Sequence, residues 1–192
     1  MNLRYYQQHA GDFFAATVDV DMHSLYSPFL ALLPAQGKIL DAGCGSGRDG
    51  KAFKAMGYDV EAFDATAEMV ALAKEHTGIA VKQMTFADVD ARERYDGIWC
   101  CASLLHVPLA ELADALQKLA AALKPGGVWY LSFKYGEGER EKDGRHFTDL
   151  NEQSLKALMS ALAGINIHST WQTADKRPGR DEIWLNALLC KV

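Results

Sequence analysis

Residues 38–51 read KILDAGCGSGRDGK, and this stretch decides the fold. Lys38 to Ala42 is a short strand-forming run, and glycines follow it at 43, 45, 47 and 50. From Ser46 to Met56 the spacing turns helical, and it stops at Gly57. A strand that hands over to a helix through glycines places the turn at the carboxyl edge of a sheet. Open α/β sheets bind their ligands there. Glycine lets the backbone turn tightly and approach a ligand closely. A plain strand-to-helix turn needs one glycine or two, whereas residues 43–50 hold four.

The pattern repeats on either side. Tyr58 to Phe63 alternates like a strand, and Ala67 to Glu75 is an alanine-rich helix. Ile79 to Thr85 and Gly97 to Cys101 read as strands, Leu109 to Leu123 as a helix, and Pro125-Gly126-Gly127 as its stop. Val128 to Phe133 is continuously apolar, as expected of a strand covered on both faces. Strands alternating with helices imply right-handed crossovers on a parallel sheet. The tail departs from this pattern. After a helix over Leu150 to Leu162, the strands Ile165 to Trp171 and Glu182 to Cys190 are joined by a short loop, Ala174 to Arg180, with a Pro178-Gly179 turn signal. Such a pair forms an antiparallel hairpin. The expected fold is α/β: a Rossmann-like, doubly wound, mostly parallel seven-stranded sheet with an antiparallel C-terminal edge hairpin. The charged segment Tyr135 to Arg145, YGEGEREKDGR, reads as an exposed loop. With no internal repeat, residues 1–192 read as one domain, 1–36 as an N-terminal helical lid and 37–192 as the α/β core.

Composition narrows the partners. Apolar residues make up 49% of the 192 and charged residues 23%, which is globular and not disordered. A formal charge of -5 gives no general attraction to phosphate backbones, so a small-molecule partner is expected and nucleic acid is not. No apolar run is long enough to span a bilayer, and no signal-peptide core opens the chain. Cys44, Cys100, Cys101 and Cys190 form neither a disulfide framework nor a zinc-ligand pattern. A cytoplasmic monomer or homodimer without a metal is expected.

Three ligands compete for the glycine loop. Gly45 to Gly50 is literally GxGxxG, the dinucleotide pattern. Gly45 to Lys51 is nearly a P-loop, but Ala52 replaces the hydroxyl residue that would hold magnesium, and Asp49 would repel phosphate. Asp41 separates the other two. A pyrophosphate gains nothing from a carboxylate at the end of the strand, whereas the sulfonium and ammonium of S-adenosylmethionine do. The strand also runs into Gly43, which makes Gly43 to Gly47 the better-placed pattern.

ILDAGCGSGRD resembles the first motif of class I S-adenosylmethionine-dependent methyltransferases, an acidic residue followed by GxGxG. The resemblance continues in order over Lys38 to Phe133 and more loosely beyond. It implies that Asp64, with Ala65, bonds the ribose hydroxyls, and that Asp88, with Val89, contacts the adenine. YDGIWCCASLLHV is similar to the fourth-strand motif, which brings in Ala102, and LKPGG to the turn before strand five. Asp41, Gly43, Gly45, Gly47 and Arg48 complete the implied cofactor site. GSGRD, the short length and the tyrosine-bearing N-terminus are similar to small bacterial methyltransferases of the tellurite-resistance type. That likeness implies an oxyanion or other small nucleophile as acceptor.

The acceptor site of that family opens at the strand carboxyl ends. Candidates there are Ser103, His106, Lys134, Tyr135 and Arg180, with Tyr5, Tyr6 and His9 from the N-terminal segment. His106 is the candidate base, with helix capping as its alternative role. A cationic set, Arg48, Lys134, Arg145, His146 and Arg180, comes mainly from loops that could border the mouth. Cys100 and Cys101 fall in a buried strand, which argues against covalent catalysis. Positioning alone can accelerate an in-line methyl transfer greatly. An NAD-dependent oxidoreductase and a non-catalytic adenosyl-ligand-binding protein stand as the alternatives.

Overall fold

The computed structural model describes residues 3–177 and 179–192. Pro178 of the expected turn lies outside them. Two helices come first, α1 (Leu3–Thr17) and α2 (His23–Leu30). The alternating core follows: β1 (Lys38–Ala42), α3 (Arg48–Ala55), β2 (Asp59–Asp64), α4 (Ala67–Thr77), β3 (Val81–Gln83), β4 (Tyr95–Cys100), α5 (Leu109–Ala122) and β5 (Leu123–Lys134). Then come β6 (Gly138–Lys142), β7 (Arg145–Asp149), α6 (Glu152–Ser160), β8 (Ile165–Ala174) and β9 (Ile183–Lys191). The main sheet has seven strands in the order β3-β2-β1-β4-β5-β9-β8. Pairing is parallel from β3 to β5, and β9 runs antiparallel to both β5 and β8. The order reverses between β1 and β4, and that switch point opens a crevice at the strand ends.

Period-two alternation sorts the core onto the two faces of the sheet. Leu40, Ile98, Cys100, Trp129 and Leu131 pack on one face with Leu112, Leu116 and Leu119 of α5. Ile39, Trp99, Val128 and Tyr130 pack on the other with Leu25, Tyr26 and Phe29 of α2 and Phe53 of α3. Trp99 and Tyr130 stack with centroids 3.8 Å apart. The two N-terminal helices therefore differ in role. The ring of Phe29 is fully buried, so α2 belongs to the core. Helix α1, kinked at His9, lies over the β1–α3 loop, with Phe13 where a side chain on Gly45 would meet it at 3.3 Å.

Tyr135 to Arg145 is not the open loop expected from its charge. It contains most of an antiparallel hairpin, β6 paired with β7. Lys142 pairs with Arg145 across Asp143 and Gly144, both at positive φ (52° and 71°). This is the Asp-Gly hairpin turn, and its backbone twist matches that of the flanking strands. The hairpin is anchored inward: Phe147 is buried, the Thr148 hydroxyl donates to the Val107 carbonyl at 2.8 Å, and Arg140 pairs with Asp149. No helix among the described residues is long and apolar enough to cross a membrane.

Candidate active site

The loop after β1 is held by contacts that need its glycines. Gly43 sits at φ +74°, and a Cβ there would fall 2.5 Å from the Ser103 Cβ. The N–H groups of Gly43 and Cys44 both donate to the Phe63 carbonyl at 2.9 Å. Gly45 donates its N–H to Asp64 Oδ2 at 3.0 Å, and Thr66 donates to Asp64 Oδ1 at 3.0 Å. One carboxylate thus fastens the β1–α3 loop to the start of α4. Burial pushes the Asp64 carboxyl above its ordinary range, while these N–H groups oppose the shift.

Two further acids lie beneath the loop. Asp41 is buried, and its Oδ2 accepts the Gly50 N–H at 3.0 Å, taking up a donor from the first turn of α3. Burial, then the neighbouring Asp49 charge, raises its pKa well above the carboxylate range. Asp49 is a buried hub. It accepts from Tyr26 Oη at 2.5 Å, Trp99 Nε1 at 2.9 Å, and Arg48 Nε and Nη2 at 2.6 and 2.9 Å. Burial pushes this carboxyl up, but the Arg48 charge and the hydrogen bonds outweigh it and hold it below the ordinary range. Arg48 is therefore committed to Asp49, with a further long contact to the Thr17 carbonyl at 3.4 Å. The amino end of α3, which a pyrophosphate would need, is occupied by the protein's own acids.

Two cavities open beside this loop. The smaller is walled by Phe63, Asp64, Ala65, Met69, Met84, Thr85 and Phe86. The larger is walled by Asp41, Ser132, Lys134, Arg145, Phe147, Arg177, Glu182 and Trp184. They share Tyr6, Phe13, Gly43, Gly45, Ala102 and His106, so they lie side by side along those residues. Ala102, two residues beyond β4, sits at φ +52°, an uncommon conformation for alanine, and its N–H donates to Ser132 Oγ at 2.9 Å.

The expected cofactor residues divide accordingly. Asp41, Gly43, Gly45, Arg48, Asp64, Ala65 and Ala102 all line one cavity or both. Gly47 caps α3 and packs against α4, where a Cβ would sit 2.5 Å from Thr77 Cγ2. Asp88 is exposed, and its Oδ2 accepts from the Thr85 N–H and hydroxyl at 2.8 and 2.7 Å, capping a single helical turn. Val89 is core. These three line neither cavity.

His106 and Tyr6 meet on the wall that the two cavities share. Tyr6 Oη lies 2.8 Å from His106 Nε2, and His106 Nδ1 lies 3.0 Å from the His146 carbonyl. A carbonyl only accepts, so Nδ1 carries the proton and Nε2 accepts from the Tyr6 hydroxyl. Burial lowers the His106 pKa to about 4 and raises that of Tyr6 to about 12. Both are neutral near pH 7. Ser103 instead pins the segment after β4 to the end of β1 by donating to the Ala42 carbonyl at 2.7 Å. Tyr135 points out and bonds Glu152, His9 is exposed beside Tyr5, and Arg180 is an exposed residue at the mouth of the larger cavity. Tyr5 lines neither cavity, and its ring packs under the Arg145 guanidinium, 4.4 Å away. Burial pushes the Cys101 thiol up to about 12 and that of Cys100 further, as suits inert packing groups. Phe13, Phe147, Arg177 and Glu182 were not legible as site residues, because nothing local marks a side chain that faces a cavity built by distant segments.

The family model described as a methyltransferase domain matches residues 39–127. The chain carries a class I methyltransferase fold. Across 156 residues it is 36% identical to the malonyl-[acyl-carrier protein] O-methyltransferase of Enterobacter lignolyticus, covering 78% of this chain and 50% of that protein. This chain spans half or less of the length of that protein and of the ubiquinone biosynthesis O-methyltransferases it also matches. Among solved structures with the methyltransferase fold is the Burkholderia thailandensis 1,6-didemethyltoxoflavin-N1-methyltransferase with bound 1,6-didemethyltoxoflavin and S-adenosylhomocysteine. It aligns with TM-score 0.69 at 22% identity, over 100% of this chain and 91% of that one. The magnesium protoporphyrin IX methyltransferase of Synechocystis PCC 6803 with bound S-adenosylmethionine aligns with TM-score 0.76 at 18% identity, over 99% and 95%.

Proposed function

We propose that this protein binds S-adenosylmethionine and transfers its methyl group in line to a small-molecule acceptor, an oxyanion or other small nucleophile. The observation that carries the reading is that two adjacent cavities share Tyr6, Ala102 and His106 in their walls, one walled also by Asp64 and the other by polar and charged side chains. A ligand lying along Asp64 and the glycine loop would present one end to the second cavity.

The residues fit that cofactor. Each oxygen of Asp64 accepts one backbone N–H and keeps lone pairs for a ribose hydroxyl. Met84, Thr85 and Phe86 give the smaller cavity an apolar end suited to a base, a role that moves there from Asp88. The loop at Gly43 and Gly45 forms the other end, with Asp41 beneath it, whose raised pKa a bound ammonium would draw back down towards the ionised form. When bound, S-adenosylmethionine supplies a methyl group activated by its sulfonium. The chain's own part is to orient the acceptor and keep water away, with α1 covering the loop. Tyr6 and His106 also offer a proton path: as the acceptor's proton moves to Tyr6 Oη, the Tyr6 proton moves to His106 Nε2. With His106 neutral, the path is open at neutral pH, but so low a pKa makes it a weak base. Positioning carries most of the acceleration in this reading.

The dinucleotide alternative is disfavoured by the amino end of α3, where Asp41 holds the Gly50 N–H. Calorimetric titration with S-adenosylmethionine, S-adenosylhomocysteine and NAD tests the choice. Binding of both adenosyl ligands, abolished in Asp64→Ala, is expected. Binding of NAD alone would overturn the reading.

A further inference from the structure

Of the six cations that line the larger cavity among the described residues, Lys176 and Arg180 are exposed and three others are neutralised within the protein. Lys134 is paired with Glu182, Arg177 with the buried Asp175 at 2.5 Å, and Arg48 with Asp49. Arg145 is different. Its nearest acid, Asp143, is 3.7 Å away with a side chain 60% exposed, and solvent screens such a contact. Its own side chain is only 14% exposed, and its Nε–H is buried with no acceptor. Its guanidinium packs between rings, 4.4 Å from the centroid of Tyr5 and 5.2 Å from that of Phe147. This fixes its direction and leaves its charge with only the loose, solvent-screened Asp143 contact.

Arg145 is also placed beside the chemistry. Its charge works against the burial that raises the Tyr6 pKa, and it lines the same cavity as Tyr6 and His106. A second buried polar atom without a partner, Glu182 Oε2, belongs to a residue of the same cavity wall. One orphan donor on a cation and one orphan acceptor on an acid call for a ligand that brings the complements of both.

We propose that Arg145 receives an anionic oxygen group of the methyl acceptor, a carboxylate or an inorganic oxyanion, and so selects acidic acceptors over neutral ones. The proposal rests on the methyltransferase reading for the word acceptor, but the anion site itself does not depend on that reading. A planar guanidinium held by two rings suits a two-oxygen anion geometrically, which a lysine ammonium does not. Glu182 Oε2 would take a hydroxyl or amine hydrogen from the same molecule. The acceptor class is then a small hydroxy or amino acid, or a protonated oxyanion.

Matched probes that differ in charge and little in shape test this. Salicylate with salicylamide, 4-hydroxybenzoate with 4-hydroxybenzamide, and 3-hydroxybutyrate with 3-hydroxybutyramide are titrated into the wild type, Arg145→Gln and Arg145→Lys. Sulfate is titrated as an inorganic arm. Every titration is run with and without saturating S-adenosylhomocysteine. The expected result is that at least one anion binds tenfold or more tightly than its amide. That preference should fall below threefold in Arg145→Gln and return in part in Arg145→Lys, with thermal unfolding confirming that both variants fold. Sulfate matching the carboxylates, with the same dependence on Arg145, would assign the site to an inorganic oxyanion. No preference for any anion, or a preference that survives Arg145→Gln, overturns the proposal. Failure of S-adenosylhomocysteine to bind would instead sink the cofactor reading, while the titrations without it still decide the anion site.

Discussion

Removing the carboxylate of Asp49 tests whether the loop is built on a buried charge hub. In Asp49→Ala, Arg48 keeps its charge with a side chain only 18% exposed, and the Tyr26 hydroxyl and Trp99 indole N–H lose their acceptor. Breaking one side of a buried ion pair costs about 3–5 kcal/mol. The two lost neutral donors add to that, but not additively, because they share the same two oxygens. A relief term acts the other way, since the Asp49 charge is one cause of the raised Asp41 pKa. The expected net loss is about 4 kcal/mol, a large part of the roughly 5–15 kcal/mol that stabilises a typical protein. Urea denaturation followed by tryptophan fluorescence reads it, because Trp99 lies in the affected cluster. With a slope of about 2–3 kcal/mol/M the midpoint should fall by about 1.3–2 M. The double variant Arg48→Met/Asp49→Leu removes both charges and should recover at least half of the loss. A midpoint shift under about 0.5 M for the single variant, against that slope, would refute the hub. So would a double variant no more stable than Asp49→Ala.

Gly43→Ala should lose about 2–4 kcal/mol, since the left-handed backbone and the overlap with Ser103 both count against it. Gly57→Ala, at φ +92° with nothing within 4 Å, should lose only about 1–2 kcal/mol, and equal losses in a denaturant comparison would contradict the packing argument. His106 has a pKa of about 4 when folded against 6.5 in the ordinary state, so between those values the unfolded chain binds more protons. Its contribution to stability is full above about pH 6.5 and falls by up to about 3 kcal/mol as pH drops towards 4. His106→Asn should flatten that slope in denaturation curves taken across the range, and an unchanged slope would remove the assignment. Tyr6→Phe should slow methyl transfer about tenfold or more at saturating cofactor, on any acceptor that needs to lose a proton. An unchanged rate on such an acceptor would leave positioning as the whole mechanism.

Local pattern carried far along this chain. The change from strand to helix across 38–56, the glycines of the loop, Asp64 at the end of β2 and the antiparallel tail are all readable from neighbouring residues, because hydrophobic period and turn chemistry are local properties. The Asp143-Gly144 signal was equally local, but the charge of the surrounding segment masked it and a hairpin read as a loop. Other features could be settled only by the tertiary structure. Tyr6 and His106 are a hundred positions apart, and their contact exists because α1 folds back over the carboxyl ends of the strands. Asp88 stands where a ligand contact was expected, yet its carboxylate turns to the Thr85 N–H and hydroxyl, a choice set by the backbone of one short turn. Asp49 looked like an unpaired acid within a phosphate cradle. Tyr26 and Trp99, brought in from α2 and β4, make it the best-satisfied carboxylate at the site. Residue order fixes which groups the chain carries and their local conformation, whereas the partner each charged group finds depends on long-range packing that leaves no trace in local spacing.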